Sequence, residues 1–265
     1  GYYTWQQEPE DSRDNVTIAD KAWEKLYHTI FVCNIIIHDI PDLEGTEEEK
    51  NKLLAETHFI RAQAYFCLAN LYGEPYENAE QARTALGVPI NLETTILNKR
   101  YTRSMLAEVY TLIESDLKES IRQFKSVEWE KNFARPSLDV AYLLASRFYL
   151  YKKEYQLAKN YTDSIIQNNR YQFYDLVNTP ASEYSWFLHG SNPEIMFCYG
   201  VVNFEHISTT ARAGVYIVSN SLKNLFITGD LRKASFMNPD IKPHKYNNGI
   251  STCYGNTYRW AEVYL

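Results

Sequence analysis

The feature that most restricts the fold of this chain is a long helix whose start and end are both marked in the sequence. Thr46 and Glu49 have the spacing of a capping box, in which each side chain bonds the backbone N–H of the other residue. Gly73 and Pro75 form the stop signal. The apolar residues between these signals recur at helical spacing, and they are Leu53, Ile60, Ala64, Cys67, Leu68 and Leu71. We therefore predict one amphipathic helix from the capping box to Gly73.

Apolar residues at helical spacing also occur in the sequence before and after this helix. An earlier helix carries Trp23, Tyr27 and Ile30 on one face and ends at Pro41. A later stretch, from Leu106 to Ile121, has the same period. These patterns predict two more amphipathic helices that each bury one face.

A pair of helices is predicted after Pro136, with a tight turn at residues 152–154. Small residues at positions of close approach, with aromatic residues one turn away, are typical of tetratricopeptide-like (TPR-like) helix pairs. The repeat length of about 34 residues is not sustained from pair to pair. We predict a mainly α fold in which TPR-like helix pairs form a right-handed helical scaffold.

The chain changes character in its last third. Asn, Gly, Ser and Tyr become frequent, and helical period survives only over 222–226. The short runs 195–199 and 215–218 have β character. We predict two regions of one domain, a helical TPR-like region over 1–170 and a loop-rich mixed region with a few short strands over 171–265.

Composition argues against two classes of function. The formal net charge is −6 and no basic patch stands out, whereas a nucleic-acid binder needs clustered Lys and Arg. No run of about 18 apolar residues occurs, so we expect no membrane-spanning helix in this sequence. Tyr supplies 22 residues, and its apolar ring with a polar tip suits both half-buried helix faces and platforms for sugars.

We find no motif for catalysis or metal binding. The six histidines are scattered, and no H-E-x-x-H motif, glycine-rich phosphate loop or G-x-S-x-G elbow occurs. Ser115 and Lys118 match S-x-x-K, but the companion motifs of that pattern are absent, and we expect both side chains in solvent. Two carboxylates can still meet in space, so glycoside hydrolysis stays open. We predict no enzyme activity, no cofactor and no metal site.

The four cysteines include no C-x-x-C pair, so zinc ribbons and thioredoxin-type redox sites are not indicated. Cys33 and Cys67 stand among apolar residues on predicted helices. We expect them to be buried free thiols that pack as small hydrophobic side chains.

Seven segments resemble the motifs of one protein family and follow them in order. They are Trp23–Asn34, Ala55–Pro75, Arg103–Leu117, Arg135–Tyr151, Asn192–Phe197, Ser221–Arg232 and Arg259–Leu265. The last of them resembles the start of a later helix. The second segment is the most specific, and it reads A-E-x-x-F-I-R-A-x-A-Y-F-x-L-x-x-L-Y-G-x-P. On this likeness, which runs from residue 23 to 265, the chain is identified as a member of the SusD/RagB family.

The resemblance implies a surface-exposed lipoprotein on the outer membrane of a Bacteroidetes-type bacterium. Such a protein binds glycan, without catalysis, as the lid of a SusC-like TonB-dependent transporter, and delivers the nutrient for uptake. Family members are usually about twice this long. We therefore expect the lipidated leader and a later C-terminal portion to lie outside this sequence. Which glycan is bound, and whether the whole binding site is included, stay open.

Candidate sugar contacts are aromatic residues outside the helical stripes, because an exposed ring stacks on the apolar face of a sugar. We select Trp5, Trp186, Phe204 and Tyr216 for stacking, and Asn203 as a partner for sugar hydroxyls.

Four other aromatic residues lie on helix faces and are predicted to be core: Trp23, Tyr27, Tyr65 and Tyr149. A second hypothesis for function is a TPR-like protein-interaction scaffold that is indifferent to sugars. A third hypothesis is an enzyme, which product formation from a polysaccharide would establish.

Overall fold

The computed structural model describes residues 21–175, 177–178, 192–200, 219–231 and 256–264. Its helices are α1 (Lys21–Asp39), α2 (Glu47–Tyr72), α3 (Leu106–Phe124), α4 (Leu138–Tyr151), α5 (Tyr155–Asn168) and α6 (Asn220–Asn224). Its strands are β1 (Ile195–Gly200) and β2 (Asn256–Arg259). Short 3-10 turns occur at Ile40–Asp42, Gln81–Arg83 and Trp260–Tyr264. The predicted mainly α fold with a few short strands is confirmed.

Helix α2 begins and ends where the local signals predict. The Thr46 backbone N–H donates to Glu49 Oε2 at 2.9 Å, and the Glu49 N–H donates to Thr46 Oγ1 at 3.2 Å. At the other end, the Gly73 N–H donates to Ala69 O at 2.9 Å. A Cβ atom at Gly73 would lie 2.5 Å from that same oxygen, so the close approach of the backbone requires glycine.

The structure divides into two compact units, and helix α4 contributes to both. The first unit comprises Gly1–Glu128 and Leu144–Ala158, and the second comprises Trp129–Leu143 and Lys159–Leu265. The first six residues of α4 thus belong to the second unit, and its last eight belong to the first unit. The division predicted at residue 170 stays a prediction.

The core of the first unit is built from α1, α2, α3 and the end of α4. Its most buried large side chains are Ile30, Phe59, Tyr65, Leu68, Leu106, Ile113, Phe124 and Phe148. The Phe148 ring contacts Phe66 and Tyr110 at centroid distances of 6.2 and 5.3 Å. Helices α2 and α3 each have a continuous apolar stripe, and both stripes are buried in the same core.

Three residues predicted for buried stripes are exposed. Leu53 and Leu71 are 39% and 61% exposed, although they share the helical spacing of α2. Trp23, predicted as core, is 38% exposed. It lies in the first turns of α1, and its ring contacts those of Tyr27 and Tyr72, at centroid distances of 4.8 and 5.0 Å. The predictions that Tyr65 and Tyr149 are buried are confirmed.

A buried charged pair joins α2 to α3 in the first unit. Arg61 donates from Nε and Nη2 to the two carboxylate oxygens of Asp116, at 2.8 and 2.7 Å. Arg61 Nη1 also donates to Asn34 Oδ1 at 3.0 Å. The Asn34 amide donates to the carbonyls of Asn91 and Glu93, so the same network fixes the loop after α2.

The turn between α4 and α5 is as tight as predicted. The backbone N–H groups of Lys153 and Glu154 donate to Leu150 O and Tyr149 O, both at 2.9 Å. Lys153 has φ of +61°, the left-handed conformation that ends many helices.

The second unit contains a two-stranded antiparallel sheet in which Ile195 lies opposite Arg259. The predicted strand at 195–199 is confirmed, and the one predicted at 215–218 lies outside the described residues. The expected helix start at Arg259 is a residue later and of 3-10 type, because Arg259 still pairs in β2. Buried side chains here include Ile195, Met196, Phe197, Tyr258, Trp260 and Val263.

No helix in the described part of the chain is both long enough and apolar enough to cross a membrane.

Candidate functional site

An exposed pair of aromatic rings marks the surface of the second unit. Phe173 and Tyr264 are 56% and 54% exposed, and their ring centroids lie 5.3 Å apart with an interplanar angle of 37°. Tyr264 stands edge-on to the buried Trp260 at 5.3 Å, and Trp260 stacks on the buried Tyr171 at 5.9 Å. We call Phe173 and Tyr264 the aromatic platform, and Trp260 and Tyr171 its base.

One buried carboxylate fixes the segments that carry this platform. Glu194 Oε1 accepts from the Tyr174 backbone N–H at 2.8 Å, and Oε2 accepts from Arg259 Nη2 at 2.7 Å. The Glu194 carbonyl accepts from the Trp260 N–H at 2.8 Å. Glu194 itself is set in a turn by Asn192, whose Oδ1 accepts from the Glu194 N–H at 2.9 Å. The N-P-E-I sequence therefore holds the neighbours of both Phe173 and Trp260.

Two cations stack on aromatic rings beside the platform. The Arg170 guanidinium lies 4.3 Å from the ring centroid of Trp129. Lys131 Nζ lies 4.7 Å from the ring centroid of Tyr171 and donates to Pro193 O at 3.2 Å. Partial burial lowers the pKa of Lys131. Because Tyr171 belongs to the base, Lys131 places a positive charge at this end of the surface.

A buried polar group lies behind the base. Asn168 Nδ2 donates to Asp139 Oδ1 at 2.6 Å. Asp139 Oδ2, Ser137 Oγ and the Tyr171 hydroxyl have no hydrogen-bond partner among the described residues. Burial raises the pKa of Asp139. Burial, followed by the charge of Asp139, raises the pKa of Tyr171. The Tyr171 hydroxyl, which belongs to the base, is therefore uncharged at neutral pH.

The five residues selected from the sequence, Trp5, Trp186, Asn203, Phe204 and Tyr216, lie outside the described residues. Their roles stay predictions. Sequence reasoning missed Phe173 and Tyr264. The signal for Phe173 was present, because the run Tyr171 to Tyr174 is aromatic and has no helical period. Tyr264 was hidden inside a segment expected to be helical.

The other chemical groups have structural surroundings. Ser115 and Lys118 are both exposed, as predicted, and Lys118 Nζ pairs with Glu114 Oε1 at 2.6 Å. Burial raises the pKa of the Cys33 and Cys198 thiols to about 12, so both are poor nucleophiles. The prediction of buried free thiols is confirmed for Cys33, whereas Cys67 is half-buried. In the described ranges, no group of three or more His, Cys, Asp or Glu could hold a metal ion.

Comparison with known proteins gives consistent results. Residues 2–150 match the model of a SusD-like family described as starch-binding and associating with the outer membrane. A curated SusD-like protein of Formosa agariphila is 24% identical over 180 residues, which are 66% of this chain and 32% of that protein. The chain therefore spans about a third of the length of this curated relative.

Solved structures share the fold. A SusD superfamily protein from Bacteroides thetaiotaomicron superimposes with a TM-score of 0.72 at 21% identity, covering 96% of this chain and 66% of the other. A laminarin-binding SusD-like protein superimposes with a TM-score of 0.52 at 23% identity, covering 69% of this chain and 38% of the other.

Proposed function

Because the chain belongs to the SusD-like family of starch-binding proteins that associate with the outer membrane, we propose that it captures glycan on the aromatic platform of its second unit. Two supports come from relatives: the family description names starch binding, and one structural neighbour is described as binding laminarin. The proposal covers the class of ligand and leaves its identity open.

The observation that carries this proposal is the exposed pair Phe173 and Tyr264 on a buried base. These two large rings are more than half exposed and in contact, so together they form an apolar patch on the surface. The C–H face of a pyranose ring is apolar and stacks on such rings, while its hydroxyls bond nearby polar groups. The Glu194 network holds the platform in place before a ligand arrives, which lowers the entropic cost of binding.

We propose binding without turnover. Hydrolysis of a glycosidic bond needs two carboxyl groups facing one bond. Beside the platform, Glu194 is committed to Arg259 and to the Tyr174 backbone. Asp175 accepts hydrogen bonds from the backbone of Val177 and Asn178. These engagements favour a binding surface over a catalytic pair.

We further propose that the protein acts as a surface-exposed lipoprotein partnered with a SusC-like TonB-dependent transporter, to which it delivers glycan. The family description of outer-membrane association supports the location. In the alternative, a TPR-like scaffold, the helical unit would bind a protein partner and no sugar.

The test is affinity electrophoresis through gels that contain laminarin, amylopectin or dextran. Phe173→Ala and Tyr264→Ala are each expected to weaken retardation about tenfold, because one lost aromatic contact of about 1.4 kcal/mol is a tenfold change in affinity. The matched control is Tyr155→Ala, a 64% exposed tyrosine at the start of α5 in the first unit, which should behave as wild type.

Three outcomes contradict the proposal. Retardation by no glycan would favour the scaffold alternative. Equal losses in the Tyr155→Ala control would remove the platform as the site, and release of reducing sugar would indicate an enzyme. Trp5→Ala and Trp186→Ala belong in the same gels, because both residues remain proposed contacts together with Asn203, Phe204 and Tyr216.

A further inference from the structure

We propose that the platform is built for an acidic glycan, one that carries carboxylate or sulfate groups, and that Arg170 and Lys131 bind those groups. This inference rests on the proposed function. It adds the charge of the ligand, and it differs from the ligands named for the family and for one similar structure, because starch and laminarin are both uncharged.

Arg170 is the first support. Its side chain is exposed, and the central carbon of its guanidinium lies over the Trp129 ring, 4.3 Å from the centroid. Within the part of the chain that the structure describes, the guanidinium makes no hydrogen bond and no ion pair. A guanidinium held by stacking keeps its N–H edge free for two parallel bonds to a carboxylate or sulfate.

Lys131 is the second support. One of its three N–H donors is used, by Pro193 O at 3.2 Å, and the ammonium lies over the ring of Tyr171. No carboxylate among the described residues pairs with it. The partial burial that lowers the pKa of Lys131 is a cost that an anionic ligand would offset.

Both cations lie close to the base, since Arg170 directly precedes Tyr171 in the sequence. Lys131 lies on Tyr171, which is also the ring beneath Trp260. Phe173 follows Tyr171 by two residues, so the two Cα atoms are at most about 7 Å apart. A sugar stacked on Phe173 therefore places its neighbouring residue, or its own charged substituent, within reach of the positive end.

The carboxylates near the two cations differ in their partners. Glu194 is paired with Arg259. Burial raises the pKa of Asp139, and the charge of Arg170 opposes that rise. Glu130 is exposed between Trp129 and Lys131 in the sequence, and it opposes an acidic ligand. Removal of the Glu130 charge should therefore strengthen the binding of an acidic ligand, which is the opposite of the effect expected for Arg170 and Lys131.

The experiment compares dextran sulfate with dextran, which share one backbone, and adds polygalacturonate as the carboxylate arm. Wild type should bind at least one acidic polymer about tenfold more tightly than dextran at low salt. Arg170→Gln and Lys131→Gln should each remove most of that preference. Glu130→Gln should increase it. Arg170→Lys, which keeps the charge without the planar fork, should retain only part of it.

The matched control is Lys25→Gln, an exposed lysine of the first unit that removes the same charge. Equal binding of dextran and both acidic polymers would overturn this inference and leave the proposed function standing. Equal losses in Lys25→Gln would also overturn it, because the preference would then follow net charge. Binding of no polymer would overturn both. Preference for dextran sulfate alone, or for polygalacturonate alone, would support the inference and identify the group.

Discussion

Asp139 is fully buried and keeps one carboxylate oxygen without a hydrogen-bond partner among the described residues. Its pKa is raised by burial, against the opposing effects of the Asn168 amide and the Arg170 charge. The folded state therefore holds the proton more tightly than the unfolded state does. Stability from this group is complete below the unfolded pKa of about 3.9 and is lost as the pH rises through the folded pKa.

Asp139→Asn is therefore expected to become more stable relative to wild type as the pH rises from 4 to 7, because asparagine has no charge to bury. Thermal unfolding followed by circular dichroism at each pH measures the difference in Tm. Asp175→Asn is the control with the opposite sign, since hydrogen bonds from Asn178 lower the pKa of Asp175. If the Tm of Asp139→Asn minus that of wild type stays constant or falls as the pH rises, the raised pKa of Asp139 is contradicted.

At the scale of elements, the Arg61–Asp116 pair is a buried charged connection between α2 and α3. Both residues are under 10% exposed, and every contact between them is shorter than 3 Å. A buried pair is not by itself a large source of stability, but removal of one partner leaves an uncompensated charge in the core. The pair therefore specifies how the two helices meet.

Asp116→Asn is expected to lower the free energy of unfolding by about 3–5 kcal/mol, because Arg61 would stay buried without its counter-charge. Urea denaturation measures the loss. Glu119→Gln on the same helix breaks the more exposed pair with Arg122 and should cost less than about 1 kcal/mol. Similar losses in the two variants would mean that Arg61 reaches solvent when its partner is removed.

Helix α2 could be predicted from sequence to the residue, because both of its ends depend on local chemistry. The Thr46 and Glu49 side chains and the close approach at Gly73 lie within a few residues of the bonds they affect. The exposure of Trp23 could not be predicted. Helical spacing shows which residues share a face of α1, but it does not show whether another part of the chain covers that face. For the same reason the platform was missed: Tyr171 and Trp260 meet only after the chain has folded.

At the scale of the whole molecule, the first unit is discontinuous in sequence. Residues 144–158 belong to it, although 129–143 belong to the second unit. Phe148, completely buried, fills space between Phe66 and Tyr110. A segment that ends at residue 128 thus lacks part of its own core.

A chain truncated after residue 128 is expected to unfold without a sharp transition and to bind the dye ANS, because loss of Phe148 exposes the rings it covers. A chain truncated after residue 158 keeps all of the first unit and should unfold cooperatively. Near-ultraviolet circular dichroism and thermal scans compare the two. Equal cooperativity would show that residues 144–158 are dispensable for this core. The point variant Phe148→Ala in the full chain should cost about 3–5 kcal/mol.

The discontinuous first unit also has a consequence for the order of events on the ribosome. Its last segment is made by residue 158, whereas β1 must wait for its partner strand, which begins at Asn256. Translation proceeds at about 5–20 residues per second, so the roughly 55 residues between β1 and β2 take about 3–11 s. During that interval the first core can close while the apolar side chains of β1 lack a partner strand. A chaperone that acts during synthesis would therefore find its binding site on Ile195–Gly200.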